Sequence, residues 1–150
     1  MKFFTIDWWI GLQDFDNDDP LPRFRKHLET IRERLPSGLL ALQETVSLHD
    51  ANLRLIDYSA QENSLILILD GVDGTGGLRQ FTLRYYEVAS FRTSADSERG
   101  LPGPYGYGDL GYDEPDITPD GKIEHRLLFS SGIELQMIFR NFELEWKDAT

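Results

Sequence analysis

The sequence predicts an α+β fold in which N-terminal helices pack on a mostly antiparallel meander sheet of five or six strands. Apolar residues recur at helical spacing only before about residue 44, and two-residue alternation takes over from residue 46. No helix-period segment separates the strands between residues 46 and 91, as a doubly wound nucleotide-binding fold would require. The chain has 150 residues and no cysteine. At that length a domain buries about 68–70% of its unfolded surface, which supports a core without disulfides or metal. We read one domain with helices over 1–44, strands over 45–92, a long acidic loop over 93–121 and C-terminal strands over 122–147.

The elements follow in order. Thr5 is placed to cap a short helix whose apolar side chains are Ile6, Trp9 and Ile10. A run of carboxylates over 14–19 interrupts it, and Pro20 and Pro22 stand where a helix can begin. Phe24, Leu28, Ile31 and Leu35 then fall at intervals of four, three and four, with charged residues between them, the mark of an amphipathic helix over 23–35. Pro36 stops it, and Ser37 is expected to cap a further turn carrying Leu39, Leu40 and Leu42. Strands are predicted at 46–58, 64–72 and 78–91, with the glycine-rich stretch 71–77 as a turn. In the third, Phe81, Leu83 and Tyr85 share one face, and Thr82, Arg84 and Tyr86 the other. Residues 93–121 are dense in Gly, Pro, Asp and Tyr without a sustained apolar period, so they read as an irregular loop. Ile123, His125, Leu127 and Phe129, the turn Ser130-Ser131-Gly132, and Ile133, Leu135, Met137 and Phe139 make a hairpin, and Phe142, Leu144 and Trp146 a sixth strand.

Charge narrows the partners. With 26 acidic against 15 basic residues the net charge is -11, which disfavours nucleic acid, because phosphate binding needs clustered Lys and Arg. It also disfavours anionic membranes, and the longest apolar run, 65–69, is far short of the roughly 20 residues of a membrane helix. The first ten residues contain Asp7 and lack the basic start and apolar core of a signal peptide. A cytoplasmic protein attractive to basic partners is the expectation.

Several motifs invite chemistry. Asp14, Asp16, Asp18 and Asp19 open like a calcium loop, but Asp19 stands where its glycine belongs and Arg25 where its bidentate Glu belongs. The glycines of 71–77 suggest a phosphate loop, yet the Gly-Lys-Ser/Thr ending and the following helix are missing, so a hairpin loop is the better reading. His49 and Asp50 sit near the entrance of the first strand, and with His125 they form a conceivable acid–base or metal cluster; the plainer reading is local hydrogen bonding at a strand start. Neither a nucleophile motif nor a cofactor motif occurs, and Ser130-Ser131 reads as turn chemistry. The loop carries the partner-binding candidates Tyr105, Tyr107 and Tyr112 with Asp109, Asp113, Glu114 and Asp116. Tyrosines among glycines are common in recognition surfaces, and carboxylates beside them select a basic partner.

The stretch Thr45-Val46-Ser47-Leu48-His49-Asp50-Ala51-Asn52-Leu53, the run 65–69 and the closing His125-Arg126-Leu127-Leu128-Phe129-Ser130-Ser131-Gly132-Ile133-Glu134-Leu135-Gln136 resemble a pattern in small bacterial domains of unknown function. Some of these are grouped with the immunity proteins of polymorphic toxin systems. The resemblance spans about the last two thirds of the chain and implies a non-enzymatic protein that binds and masks another protein. It carries over no catalytic residue. The leading expectation is therefore a non-catalytic module that binds a basic protein, such as a toxin, without cofactor or metal. An enzyme using His49, Asp50 and His125 is the alternative. A further alternative is a homodimer covering an apolar sheet face marked by Tyr86 and Trp146.

Overall fold

Thr5 begins the first helix as its position predicts: its hydroxyl accepts from the Trp8 amide at 3.2 Å, and α1 spans Ile6–Ile10. The computed structural model describes residues 1–11, 18–98 and 101–149; Asp14 and Asp16 lie outside these. Prolines start α2, Leu21–Ile31, which buries the predicted stripe of Phe24, Leu28 and Ile31. A single tighter turn, Arg32–Arg34, completes it, and Pro36 ends it. Ser37 is not a cap but the first residue of α3, Ser37–Glu44. Pro36 holds the cap position, already extended at ψ 147°, and its carbonyl accepts from the Leu40 amide.

Among the described residues eight strands follow: β1 Asn52–Ser59, β2 Ser64–Val72, β3 Leu78–Tyr86, β4 Ser90–Ser94, β5 Leu110–Ile117, β6 Ile123–Phe129, β7 Glu134–Phe139 and β8 Asn141–Asp148. They form two four-stranded antiparallel sheets, ordered β1-β2-β3-β8 and β4-β7-β6-β5, and not one sheet of five or six strands. Two backbone corners account for the difference. Glu87 takes φ 50°, which ends β3. The next two amides, of Val88 and Ala89, bond to Asn63 and to Ile138 of the second sheet. The predicted strand over 78–91 is thus two strands in different sheets. The return passes at Arg140, whose amide donates to the Tyr86 carbonyl, so both crossings lie side by side. The first strand also starts later than residue 46, because Asp50 adopts φ 65° and Ala51 closes a turn onto Leu48.

Between the sheets lies the core. Leu65, Leu67, Leu69, Phe81, Leu83 and Tyr85 face Leu127, Phe129, Leu135, Met137 and Phe139, all 2% exposed or less. Each such side chain contributes about 1.5–3 kcal/mol of burial. Edge strand β1 reaches across to the second sheet at both ends. Asn52 bridges to Asp109, and the Tyr58 ring stacks on Phe91 of β4 at 6.5 Å. Helix α3 packs on β8, where Gly38 lies so close to Leu144 that an added Cβ would stand 3.0 Å from its amide nitrogen. Helix α2 and residues 2–4 cover the outer face of β5 and β6 instead. As a result β6 is buried along its whole length, on both faces.

The acidic segment over 93–121 is therefore not a single loop, since β5 lies within it. Its alternation is real but polar: Asp113, Pro115 and Ile117 point to one side, and Tyr112, Glu114 and Asp116 to the other. Pro115, which lacks an amide hydrogen, is tolerated because β5 is an edge strand.

Candidate functional site

Strand β5 organises the polar groups of the molecule. On its inner side Asp113 Oδ2 accepts from His125 Nε2 at 2.8 Å and from Gln43 Nε2 at 2.6 Å. The carboxylate can only accept, so Nε2 carries the hydrogen, and in the neutral ring Nδ1 accepts from the Tyr85 hydroxyl at 2.8 Å. His125 is fully buried. Burial, with the charge of Asp113 added, pushes the Tyr85 hydroxyl well above its ordinary value. This chain of side chains starts in the core at Tyr85 and comes out at Asp113.

On the outer side, Glu114 and Asp116 lie beneath residues 2–4 and α2. Glu114 accepts from the backbone amides of Lys2, Phe3 and Phe4 at 2.8, 2.8 and 2.6 Å and from the Arg126 guanidinium at 3.2 Å. Asp116 takes a second Arg126 nitrogen at 3.1 Å, Lys2 Nζ at 2.7 Å and His27 Nε2 at 3.1 Å. Glu124 completes the set around Arg126. Burial acts to raise Asp116, but hydrogen bonds from Lys2 and the Ile117 amide, with the charges of Lys2 and His27, outweigh it and hold its carboxyl below the ordinary value.

Where these elements meet α1 and α3, a cleft of about 560 Å³ opens. Phe4, Trp8, Phe24 and Tyr112 form its aromatic wall, and Asp19, Glu44, Asp113 and His49 are its ionisable groups. No Lys or Arg is among the described residues that line it. Tyr112 stacks on Phe4 at 4.9 Å and meets Trp8 and Trp9 edge-on, each at 5.3 Å. The neighbouring Gly111 is required by that packing, because an added Cβ would stand 2.4 Å from the Trp9 ring. Burial and then the negative charges of Asp19 and Asp50 raise the Tyr112 hydroxyl. His49 is anchored at the rim, Nδ1 to the Gly111 carbonyl at 2.8 Å, with Asp50 at 3.5 Å from Nε2.

The sequence-predicted residues have separate environments. Tyr105 is 91% exposed at the tip of a tight turn closed by reciprocal bonds between Gly103 and Gly106. Tyr107 packs edge-on against Phe129 at 5.5 Å. Asp109 accepts from Asn52 Nδ2 at 2.7 Å, while its amide donates to Ser130 Oγ, so Ser130 has the turn role read from the sequence. Tyr112 and Asp113 line the cleft. Glu114 and Asp116, expected in a solvent-facing loop, are instead buried and engaged with Arg126. His49 and His125 take separate partners. Asp18 pairs with Arg23 at 3.2 Å and Asp19 accepts from the Leu21 amide at 3.0 Å. Among the described residues no group of three or more His, Asp or Glu could hold a metal ion. In the loop over 71–77, Asp73 accepts from the Thr75 hydroxyl and from the Gly77 and Thr75 amides, which with nearby Arg79 lower it to about 2, so the glycines close a hairpin between β2 and β3. Tyr86 and Trp146 do not mark a common sheet face: Trp146 pairs with Phe81 and Tyr86 with Asn141, on opposite sides.

Sequence reasoning missed Trp8, Gln43, Tyr85 and Arg126. The available signal was the two-residue alternation over 112–117, which brings Asp113 onto the face of His125. Compared with known protein families and with characterised proteins, the chain matches no family model and no curated sequence. No described helix is long and apolar enough to cross a membrane.

Proposed function

We propose that this protein is a non-catalytic binding module for a basic protein partner, in the manner of an immunity protein that masks a toxin, and that the cleft beside Tyr112 is where the partner docks. The observation that carries this reading is the pairing of an aromatic wall with carboxylates in one open cleft of about 560 Å³, on a chain of net charge -11. Aromatic side chains provide contact area at low entropic cost, and carboxylates set partner choice and accelerate encounter. Tyr105, standing clear at its turn, provides a second contact.

The test is affinity capture from the source lysate at low and at moderate salt, followed by direct titration of the captured protein against wild type and Tyr112→Ala. A basic partner that weakens with salt, and by about tenfold or more in the variant, is the expected result. Retention of full affinity by Tyr112→Ala removes the cleft from the proposal. Absence of any specific partner removes the function.

A further inference from the structure

We propose that the cleft is a guanidinium site, one that receives an arginine side chain presented by the basic partner; the inference rests on the binding reading above and specifies its anchor. The argument starts from Asp113. Its Oδ2 is committed to His125 and Gln43, both of which hold the carboxylate in one orientation where Asp113 lines the cleft. The group is only 16% exposed, so a cation meeting it there is partly desolvated and its hydrogen bond correspondingly strong. A fixed acceptor also removes much of the ordering cost of binding.

The surroundings select the cation. Aromatic side chains, Tyr112 among them, line the cleft and suit a planar delocalised charge, and Asp19 adds a second carboxylate. Guanidinium suits such a place better than ammonium: it is flat, weakly hydrated, stacks on rings and presents a rigid fork of donors to a fixed carboxylate. The same carboxylates repel the α-carboxylate of a free amino acid, which favours arginine within a chain. The volume, about 560 Å³, lies within the roughly 300–1,000 Å³ of ordinary ligand sites, room for the side chain and its flanking backbone.

The experiment titrates the full chain with acetyl-Gly-Arg-Gly-amide, its citrulline and lysine counterparts, and free arginine, followed by calorimetry and tryptophan fluorescence. The arginine peptide is expected to bind about tenfold tighter than the uncharged citrulline peptide and about threefold tighter than the lysine peptide. Asp113→Asn and Tyr112→Ala each weaken it by about fivefold or more. Because Asp113→Asn also disturbs His125, Asp19→Asn at the exposed rim serves as the second variant, with a loss of about threefold. Citrulline or lysine within about twofold of arginine, affinity unchanged in both Tyr112→Ala and Asp19→Asn, or free arginine binding as tightly as the peptide would each overturn the proposal. The two readings fail separately. A salt-sensitive partner captured by a protein that ignores the peptides leaves the binding module and removes the guanidinium site, whereas peptide binding without a captured partner does the reverse.

Discussion

The two faces of the β5–β6 strand pair solve the same problem, buried polar groups, in opposite ways. Inside, Tyr85, His125 and Asp113 form a short line of hydrogen bonds that ends in a carboxylate. Outside, Glu114, Asp116 and Glu124 surround Arg126, and Lys2 adds a second cation. The inner face tolerates little charge because it abuts the apolar sandwich; the outer face lies under residues 2–4 and α2, where backbone amides and basic side chains are at hand. Carboxylates adjacent in sequence therefore have unlike duties according to the side on which the strand pleat places them.

Removing the cation of the outer face should have the largest effect. Arg126→Met leaves three buried carboxylates short of their partner and is expected to cost about 3–5 kcal/mol in urea unfolding at neutral pH. A cost below about 1 kcal/mol would mean that the cluster is solvated and not a clamp. The inner face should prove less sensitive. His125→Ala strands the Tyr85 hydroxyl and removes a donor from Asp113, for about 2–3 kcal/mol, whereas Tyr85→Phe removes one donor and costs about 1 kcal/mol. Equal losses for the two variants would deny that His125 links them.

The faces should also part company with pH. Asp116 is held below its ordinary value in the folded state, so its contribution is present above the unfolded value near 3.8 and is lost as pH falls through the lower folded value. Lys2→Ala should flatten the dependence of the urea midpoint on pH across that acid window. Tyr85 behaves in the opposite sense. Its folded value is raised, so its contribution is complete below the unfolded value near 10 and declines as pH rises beyond it, when only the unfolded phenol ionises. Tyr85→Phe should remove that alkaline decline and leave the acid limb alone. The smallest effect belongs to Tyr105→Ala: with the ring 91% exposed, stability should change by less than about 0.5 kcal/mol, and any larger change would show that the turn at Gly103 and Gly106 depends on it.

Much of the architecture was legible in the residues. The cap at Thr5, the stripe Phe24-Leu28-Ile31, β2 at Ser64–Val72 and the hairpin around Gly132 all follow from spacing and turn chemistry, since each is decided within a few residues of chain. The candidate site was less so. Asp113, Glu114 and Asp116 read from the sequence as partner-binding groups of a loop, because carboxylates usually stay exposed, and the alternation that orders them uses polar side chains where a pattern search looks for apolar ones. Their partners, Gln43, His125, Lys2 and Arg126, lie between 10 and 114 positions away in sequence, beyond the reach of any local pattern.

By itself the sequence determined the acidic balance, the order of helices before strands and the identity of the core side chains, because these depend on composition and on periods of 3.6 and 2. Only the tertiary structure decided that the strands divide into two sheets, since the corners at Glu87 and Arg140 are stabilised by amide bonds to distant strands. It alone also turned one run of acidic residues into a buried clamp, a link to His125 and the lip of a cleft, for a carboxylate's role depends on which donors the fold brings within hydrogen-bonding distance.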